Sequence, residues 1–316
     1  MKKWIAFFCF AIMFVSLGCG QEKGKDAPAK NDSKLSLTIG LMPDTDSVPF
    51  IIAQEKGFFV AEGVEVTLQQ FKSAMDRDAA MQSGKLDGAV SDLLAAAFAL
   101  DGGFDVRAVS LTDGNYSLVA GKGTKVSDVH MLSGADVAVS RNTIIEYVTD
   151  RILGINNMTS NAIQKVSVPQ IPVRLEMLQN GKLTAATLPE PMASVAVANG
   201  CKYLTGSEEL AINPGVMLFS AKAIKEKKDA LKAMYRAYNK AVEYLKKTPR
   251  EEYIGLIVEK GGFPEATRNA LKLPAYHHAI LPKEKDVVEV ICWLKEKELI
   301  KKIYDYRDIV LEGCLP

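Results

Sequence analysis

Three glycine-bearing signals recur 97 residues apart. Gly57 and Gly154 stand at that offset (154 minus 57), as do Gly84-Lys85-Leu86 with Gly181-Lys182-Leu183 and Gly103 with Gly200. The first copy is clearest in the stretch Leu35 to Phe59, LSLTIGLMPDTDSVPFIIAQEKGFF. Leu37, Ile39 and Leu41 alternate with smaller or polar residues, which predicts a β-strand. Met42 to Ser47 suits a turn and a helix N-cap, Pro49 fits a first helical turn, and Gly57 fits the helix stop. At the same offset a second strand falls on Asp136–Ser140 and a second loop on Arg141–Ile144. A chain that repeats a strand–loop–helix unit is expected to build two similar α/β lobes. Ligands of open α/β sheets sit where strand ends feed helix N-termini. The chain therefore reads as a two-lobed clamp with its cleft between the lobes.

The remaining pattern alternates strands with helices, as a mostly parallel sheet flanked by helices requires. Strands are expected at Val64–Leu68, Leu86–Val90, Val106–Leu111, Tyr116–Ala120, Asp136–Ser140, Val166–Val168, Leu183–Leu188, Lys202–Leu204 and Val216–Phe219. Gly121-Lys122-Gly123-Thr124 suits a first crossing between lobes, and Asn213-Pro214-Gly215 a return. From Ala221 onward the apolar spacing is helical, and these helices are expected to pack on the first lobe. The expected boundaries are 35–120 with 216–316 for lobe one and 121–215 for lobe two. Two crossings make a hinge, and hinge closure on a ligand is a recognised motion.

Residues 1–19 read as an export leader. Lys2 and Lys3 precede an unbroken apolar run from Trp4 to Val15, too short to span a bilayer, and Ser16-Leu17-Gly18-Cys19 follows. The end of this leader resembles a bacterial lipobox, which implies lipidation of Cys19. Ser16 stands where that pattern has a large aliphatic residue. Residues 20–34 are polar and suit a flexible tether. Net charge is +1, or about −1 once Lys2 and Lys3 are removed with the leader, so no nucleic-acid partner is expected. Cys201, Cys292 and Cys314 have no metal-site spacing. Pairing of Cys292 with Cys314 and free thiols both stand open.

Four phrases carry a family resemblance: Leu41 to Val66; Gln82-Ser83-Gly84-Lys85-Leu86-Asp87-Gly88-Ala89; Ala138 to Thr143; and Leu188-Pro189-Glu190-Pro191. They are similar to the substrate-binding proteins of ABC importers in the nitrate, sulfonate, taurine and thiamine-precursor (SsuA/THI5-like) group, over roughly Leu35 to Phe219. The resemblance implies a type II periplasmic-binding-protein fold and capture of a small solute. It also implies a separate permease and ATPase as partners, since the chain has no phosphate-binding loop. A lipid-anchored, exported monomer with no cofactor and no catalytic residues is expected.

Candidate ligand residues fall at the strand ends. Asp44, Thr45, Asp46 and Ser47 form the first loop, and Ser91 and Asp92 end another strand. Asn115 and Tyr116 lie near the first crossing, where a ring can stack on a planar solute. Ser140, Arg141, Asn142 and Thr143 mirror the first loop, where helix amides attract anions and Arg141 offers a bidentate grip. The resemblance makes Glu190 an acceptor for ligand amino or amide groups. Capping, core packing and solvated loop positions explain the same residues without a ligand. Three acids, Asp44, Asp46 and Glu190, point to a nitrogenous heterocycle of the thiamine-precursor kind, whereas Arg141 and the helix ends point to a sulfonate or other small anion. Because a dense acid set repels a sulfonate, the heterocycle is the expected solute and the anion the alternative. His130, His277 and His278 lack the neighbours of a catalytic or metal site, and Met75, Met81, Met177 and Met217 read as core. An enzyme or a ligand sensor on the same fold are the rival functions.

Overall fold

The computed structural model describes residues 35–316. The leader, Cys19 and the tether lie outside the described residues. The chain runs β1 (Leu35–Leu41), α1 (Val48–Glu55), α2 (Phe58–Ala61), β2 (Val64–Gln70), α3 (Ala74–Gln82), β3 (Gly88–Asp92), α4 (Leu93–Asp101) and β4 (Val106–Leu111). It continues with β5 (Tyr116–Ala120), β6 (Asp136–Val139), α5 (Ile144–Ile155), β7 (Gln164–Ser167), α6 (Ile171–Gln179), β8 (Ala185–Pro189), α7 (Met192–Ala198) and β9 (Lys202–Gly206). The last part holds β10 (Gly215–Ser220), α8 (Ala221–Glu226), α9 (Lys228–Lys247), α10 (Ile254–Gly261), α11 (Thr267–Ala270), α12 (Glu284–Glu296) and α13 (Tyr306–Ile309).

Two five-stranded sheets result, ordered β2-β1-β3-β10-β4 and β7-β6-β8-β5-β9. Position by position they are the same sheet. β6 sits where β1 does and β8 where β3 does, and the fourth strand of each is antiparallel to its neighbours. The 97-residue offset reproduces α3 in α6 and β3 in β8 residue for residue. Gly84 and Gly181, which follow α3 and α6, both take positive φ, 73° and 68°. Glycine adopts that conformation without the Cβ clash other residues suffer.

The first crossing lies at 112–115, ahead of the expected Gly121–Thr124, because β5 hydrogen-bonds to β8 and β9 rather than to the first sheet. Thr112-Asp113-Gly114-Asn115, which suits a local turn, instead carries the chain between sheets. The fourth strand of each sheet thus comes from the crossing side of the chain, a non-local exchange that local turn chemistry does not encode.

The helical tail also does more than cover the first lobe. α9 packs its apolar face on α1, α2 and β1. α12 packs on α4 of the first lobe and reaches α5 of the second. There Trp293 meets the Tyr147 ring edge-on at 5.6 Å and donates from Nε1 to Asp150 Oδ2 at 3.1 Å. Asp150 also pairs with Lys165 at 2.5 Å and Lys297 at 2.8 Å, so its buried charge is matched twice. Met81 and Met217 are core, Met177 is partly buried, and Met75 is 65% exposed. Met75 lies on the solvent face of α3, opposite Arg77 and Met81. Among the described residues no helix is long and apolar enough to cross a membrane, and Cys201, Cys292 and Cys314 are free thiols.

Candidate functional site

A cleft between the two sheets encloses about 450 Å³ of atom-free space, part of it open to solvent. Both lobes wall it. Met42, Asp44, Arg77, Ser91 and Asp92 come from the first, and Tyr116, Ser140, Thr143 and Arg174 from the second. Apolar surface is added by Val90, Ile144, Ile145 and Ile171. α5 points its N-terminus at this space. Thr143 caps it by accepting from Ile145 N at 3.2 Å, and Ser140 O accepts from Thr143 Oγ1 at 2.8 Å.

Two buried arginines dominate the site, and they are repeat partners: Arg77 on α3 and Arg174 on α6 stand 97 residues apart. Each donates to the equivalent strand of its own sheet, β3 for Arg77 and β8 for Arg174. Arg77 Nη1 donates to Val90 O at 3.1 Å, and Arg174 Nε donates to Thr187 O at 2.9 Å. Val90 and Thr187 are themselves 97 apart. Arg174 Nη1 also donates to Val168 O at 2.7 Å.

Their charges are answered differently. Arg77, 4% exposed, pairs with Asp78 at 2.8 Å and lies 3.7 Å from Asp92. Burial disfavours its charge, but Asp78 and Asp92 outweigh that, and its pKa is pushed up. Arg174 is 0% exposed and forms no ion pair among the described residues. Burial alone acts on it and pulls its pKa down to about 10. At the offset positions Asp92 becomes Pro189 and Asp78 becomes Leu175, so the second copy kept the cation and lost both acids. A buried guanidinium without a counter-charge is costly. Arg77 Nη2, Arg174 Nη2 and Ser91 Oγ are buried polar atoms with no hydrogen-bond partner among the described residues. All three belong to residues of one cleft, and buried polar groups are ordinarily paired.

The acids of the cleft are buried too. Burial first and Asp46 second push the Asp44 carboxyl well above its usual range, which favours the neutral acid. Asp44 Oδ1 accepts from Ser47 N and Oγ at 3.2 and 3.0 Å. Burial likewise raises Asp92, with Arg77 opposing, and Asp92 Oδ1 accepts from Ala95 N at 2.8 Å as the cap of α4. Asp92 is committed to Arg77 and to the α4 cap, and neither acid pairs with Arg174 among the described residues.

The other residues expected from the sequence lie elsewhere. Thr45, Asp46 and Ser47 are buried behind the cleft, where Ser47 Oγ donates to Met42 O at 2.9 Å. Asp46 sits between the two crossings: Tyr116 Oη donates to its Oδ2 at 3.2 Å, and it packs against Gly114 and Gly215. A Cβ at Gly114 would collide with the Asp46 carboxylate. Asn115 fastens the crossing, donating to Glu208 at 3.1 Å and accepting from Ser207 at 2.9 Å. Arg141 is exposed and donates to Lys165 O at 3.0 Å, and Asn142 is exposed with φ 57°. Glu190 caps α7, accepting from Ser194 N at 3.1 Å, and lines a different cavity. Its carbonyl accepts from Thr45 N at 2.9 Å, a bond between the lobes. His277 and His278 pair at the surface with Asp113 and Glu243, while Tyr276 is buried and donates to Thr45 O at 2.8 Å. Among the described residues no group of three potential ligands is arranged to hold a metal.

Arg77, Arg174 and Met42 were not among the expected site residues. One signal was available: an arginine on the apolar face of a short helix, returning at the repeat offset.

Comparison with solved structures gives the same two-lobed fold. The ligand-binding component of an ABC-type import system from Staphylococcus aureus superposes with a TM-score of 0.75 at 15% identity, over 88% of this chain and 97% of that one. The alkanesulfonate-binding protein SsuA of Xanthomonas axonopodis pv. citri, bound to MOPS, gives 0.73 at 15% identity over 89% and 98%. The periplasmic aliphatic sulphonate binding protein SsuA of Escherichia coli gives 0.71 at 17% over 89% and 93%. The architecture is the type II periplasmic-binding-protein fold, with two mixed sheets flanked by helices. No curated protein matches the sequence. Residues 30–258 match the NMT1-like family, and the chain belongs to that family.

Proposed function

We propose that this chain is the extracytoplasmic solute-binding component of an ABC importer and that its solute is a small organic anion with an apolar body, a carboxylate or a sulfonate. One observation carries the reading: Arg174 is buried at the cleft without a counter-charge, in the position where its repeat partner has two acids. A ligand anion takes the role that Asp92 plays for Arg77. Ser91 Oγ, Arg77 Nη2 and the N-terminus of α5 add donors on the remaining sides. Met42, Ile144, Ile145 and Ile171 receive the apolar part.

The mechanism is capture by closure. The two lobes meet across the anion only when it is bound, so contacts made in the closed state alone drive the population toward it. A permease and its ATPase, separate proteins, complete the transport. The chain works as a monomer, exported and lipid-anchored through Cys19. The names of the similar structures, import components and sulfonate binders, support this reading, as does the family.

A nitrogenous heterocycle is the second reading, favoured by the Asp44 carboxyl in the cleft. Thermal unfolding with alkanesulfonates, short carboxylates, taurine and aminopyrimidines separates the two. A binder at a hundredfold excess over its Kd adds about 2.7 kcal/mol of stability. Stabilisation by the anions and not by the aminopyrimidines is expected, and the opposite pattern would transfer the assignment to Asp44.

A further inference from the structure

A second cavity opens where Glu190, one residue beyond the cleft-lining Pro189, faces away from the arginines. It holds about 1060 Å³ of atom-free space, part of it open to solvent. Three carboxylates line it: Glu190, Glu208 and Glu209. Each accepts hydrogen bonds from neutral groups only: Glu190 from Ser194 N, Glu208 from Asn115 Nδ2, and Glu209 from Tyr203 Oη at 2.9 Å and Thr205 Oγ1 at 3.0 Å. None of the three forms an ion pair among the described residues, and Lys272 is the single basic residue in the wall. Lys272 bears on Glu190, while Glu208 and Glu209 have neutral donors and no cationic partner among the described residues.

A second observation is independent of the acids. Along β5, alternate side chains face opposite ways. Tyr116 enters the anion cleft, and Ser117 enters this cavity. Ser117 is 1% exposed, and its Oγ has no hydrogen-bond partner among the described residues. Tyr203, 38% exposed, contributes an aromatic wall beside the acids, and Ala193, Val197, Leu273 and Pro274 contribute an aliphatic one. The charges of Glu209, Glu208 and Glu190 all bear on the Tyr203 hydroxyl, after burial and its bond to Glu209, and push its pKa up.

We propose that this cavity is a binding site for a small alkylammonium ion, whose N–H groups donate to Glu208, Glu209 and Ser117 while its chain lies against Tyr203, Val197 and Leu273. An ammonium held by several carboxylates beside an aromatic face combines charge-assisted hydrogen bonds with cation–π attraction. The site lies outside the anion cleft and does not depend on what the cleft binds.

Isothermal titration of the full-length protein in detergent with n-butylammonium tests this, with tetramethylammonium as a probe that has the charge and no N–H donor. We expect saturable binding of n-butylammonium, binding of tetramethylammonium at least tenfold weaker, and a loss of at least tenfold in the Glu208→Gln/Glu209→Gln double variant. Arg174→Gln should leave the ammonium titration within twofold. A melting curve establishes that the double variant is folded, and Tyr203→Leu gives a second reading of the same wall. The absence of saturable heat, equal binding of both probes, or unchanged binding in the folded double variant would each overturn the proposal.

Discussion

Arg77 and Arg174 hold the same place in two copies of one fold, and only Arg77 has carboxylates to answer its charge. Each donates to a backbone carbonyl of the adjacent strand at the same repeat position, 3.1 Å to Val90 O and 2.9 Å to Thr187 O. Both hold their own lobe through backbone carbonyls, but only the second lacks a counter-charge among the described residues. The anion reading rests on this difference.

The two arginines should accordingly differ in what they do for stability. Arg77→Met strands the buried Asp92 carboxylate, and breaking a buried pair from one side costs about 3–5 kcal/mol. Arg174→Met removes an uncompensated charge, and that gain offsets the two carbonyls left without a donor, each of which costs about 1–3 kcal/mol. Denaturant unfolding without ligand should find Arg77→Met less stable than Arg174→Met by at least about 2 kcal/mol. The reverse order would mean that Arg174 is the structural member of the pair.

Arg141 offers a contrast of position. It is exposed and bonded to Lys165 O within its own lobe. Arg141→Ala should leave the anion Kd within about twofold, since an exposed arginine with a backbone partner contributes little. A loss comparable to that of Arg174→Gln would bring Arg141 into the site on closure and require a larger rearrangement of the Ser140–Thr143 loop.

Asp46, packed against the two crossings, makes the stability of the fold sensitive to pH. Burial, with opposing help from Thr112 and Tyr116, raises its pKa from 3.8 to about 6. The folded state thus holds this proton more tightly than the unfolded chain does. Its contribution is fully present below about 3.8 and is lost as pH rises through about 6. Over that window the wild-type protein should lose on the order of 2–3 kcal/mol relative to Asp46→Asn, which keeps the shape and cannot ionise. Parallel stability curves for the two proteins between pH 4 and 7 would contradict this.

Much of the fold was legible because local signals agreed with it. The strand at Leu37, Ile39 and Leu41 and the glycines after α3 and α6 each specify local structure. The offset of 97 residues then specifies two lobes. What local signals do not carry is exchange between lobes. β5 joins the second sheet because β8 and β9 offer its edge partners, and Trp293 ties α12 to α5 across more than a hundred residues of chain. The candidate residues divide for a related reason. Strand-end loops mark where a ligand enters, so Asp44, Ser91, Asp92, Tyr116, Ser140 and Thr143 do line the cleft. The charged residues that dominate it come from mid-helix positions, where an arginine reads as a surface residue until its burial is seen. Glu190 reads as a ligand acceptor through the family resemblance, yet its carboxylate is used by the α7 amide and faces the second cavity.

The most direct measurement is isothermal titration of the best-stabilising sulfonate or carboxylate into the wild-type protein and Arg174→Gln. A buried charge-assisted pair should be worth several kcal/mol, so the variant should bind at least a hundredfold more weakly while its unliganded melting temperature stays within a few degrees. Equal affinity in a folded Arg174→Gln variant, or tight binding of a neutral aminopyrimidine with no anion bound at all, would contradict the account.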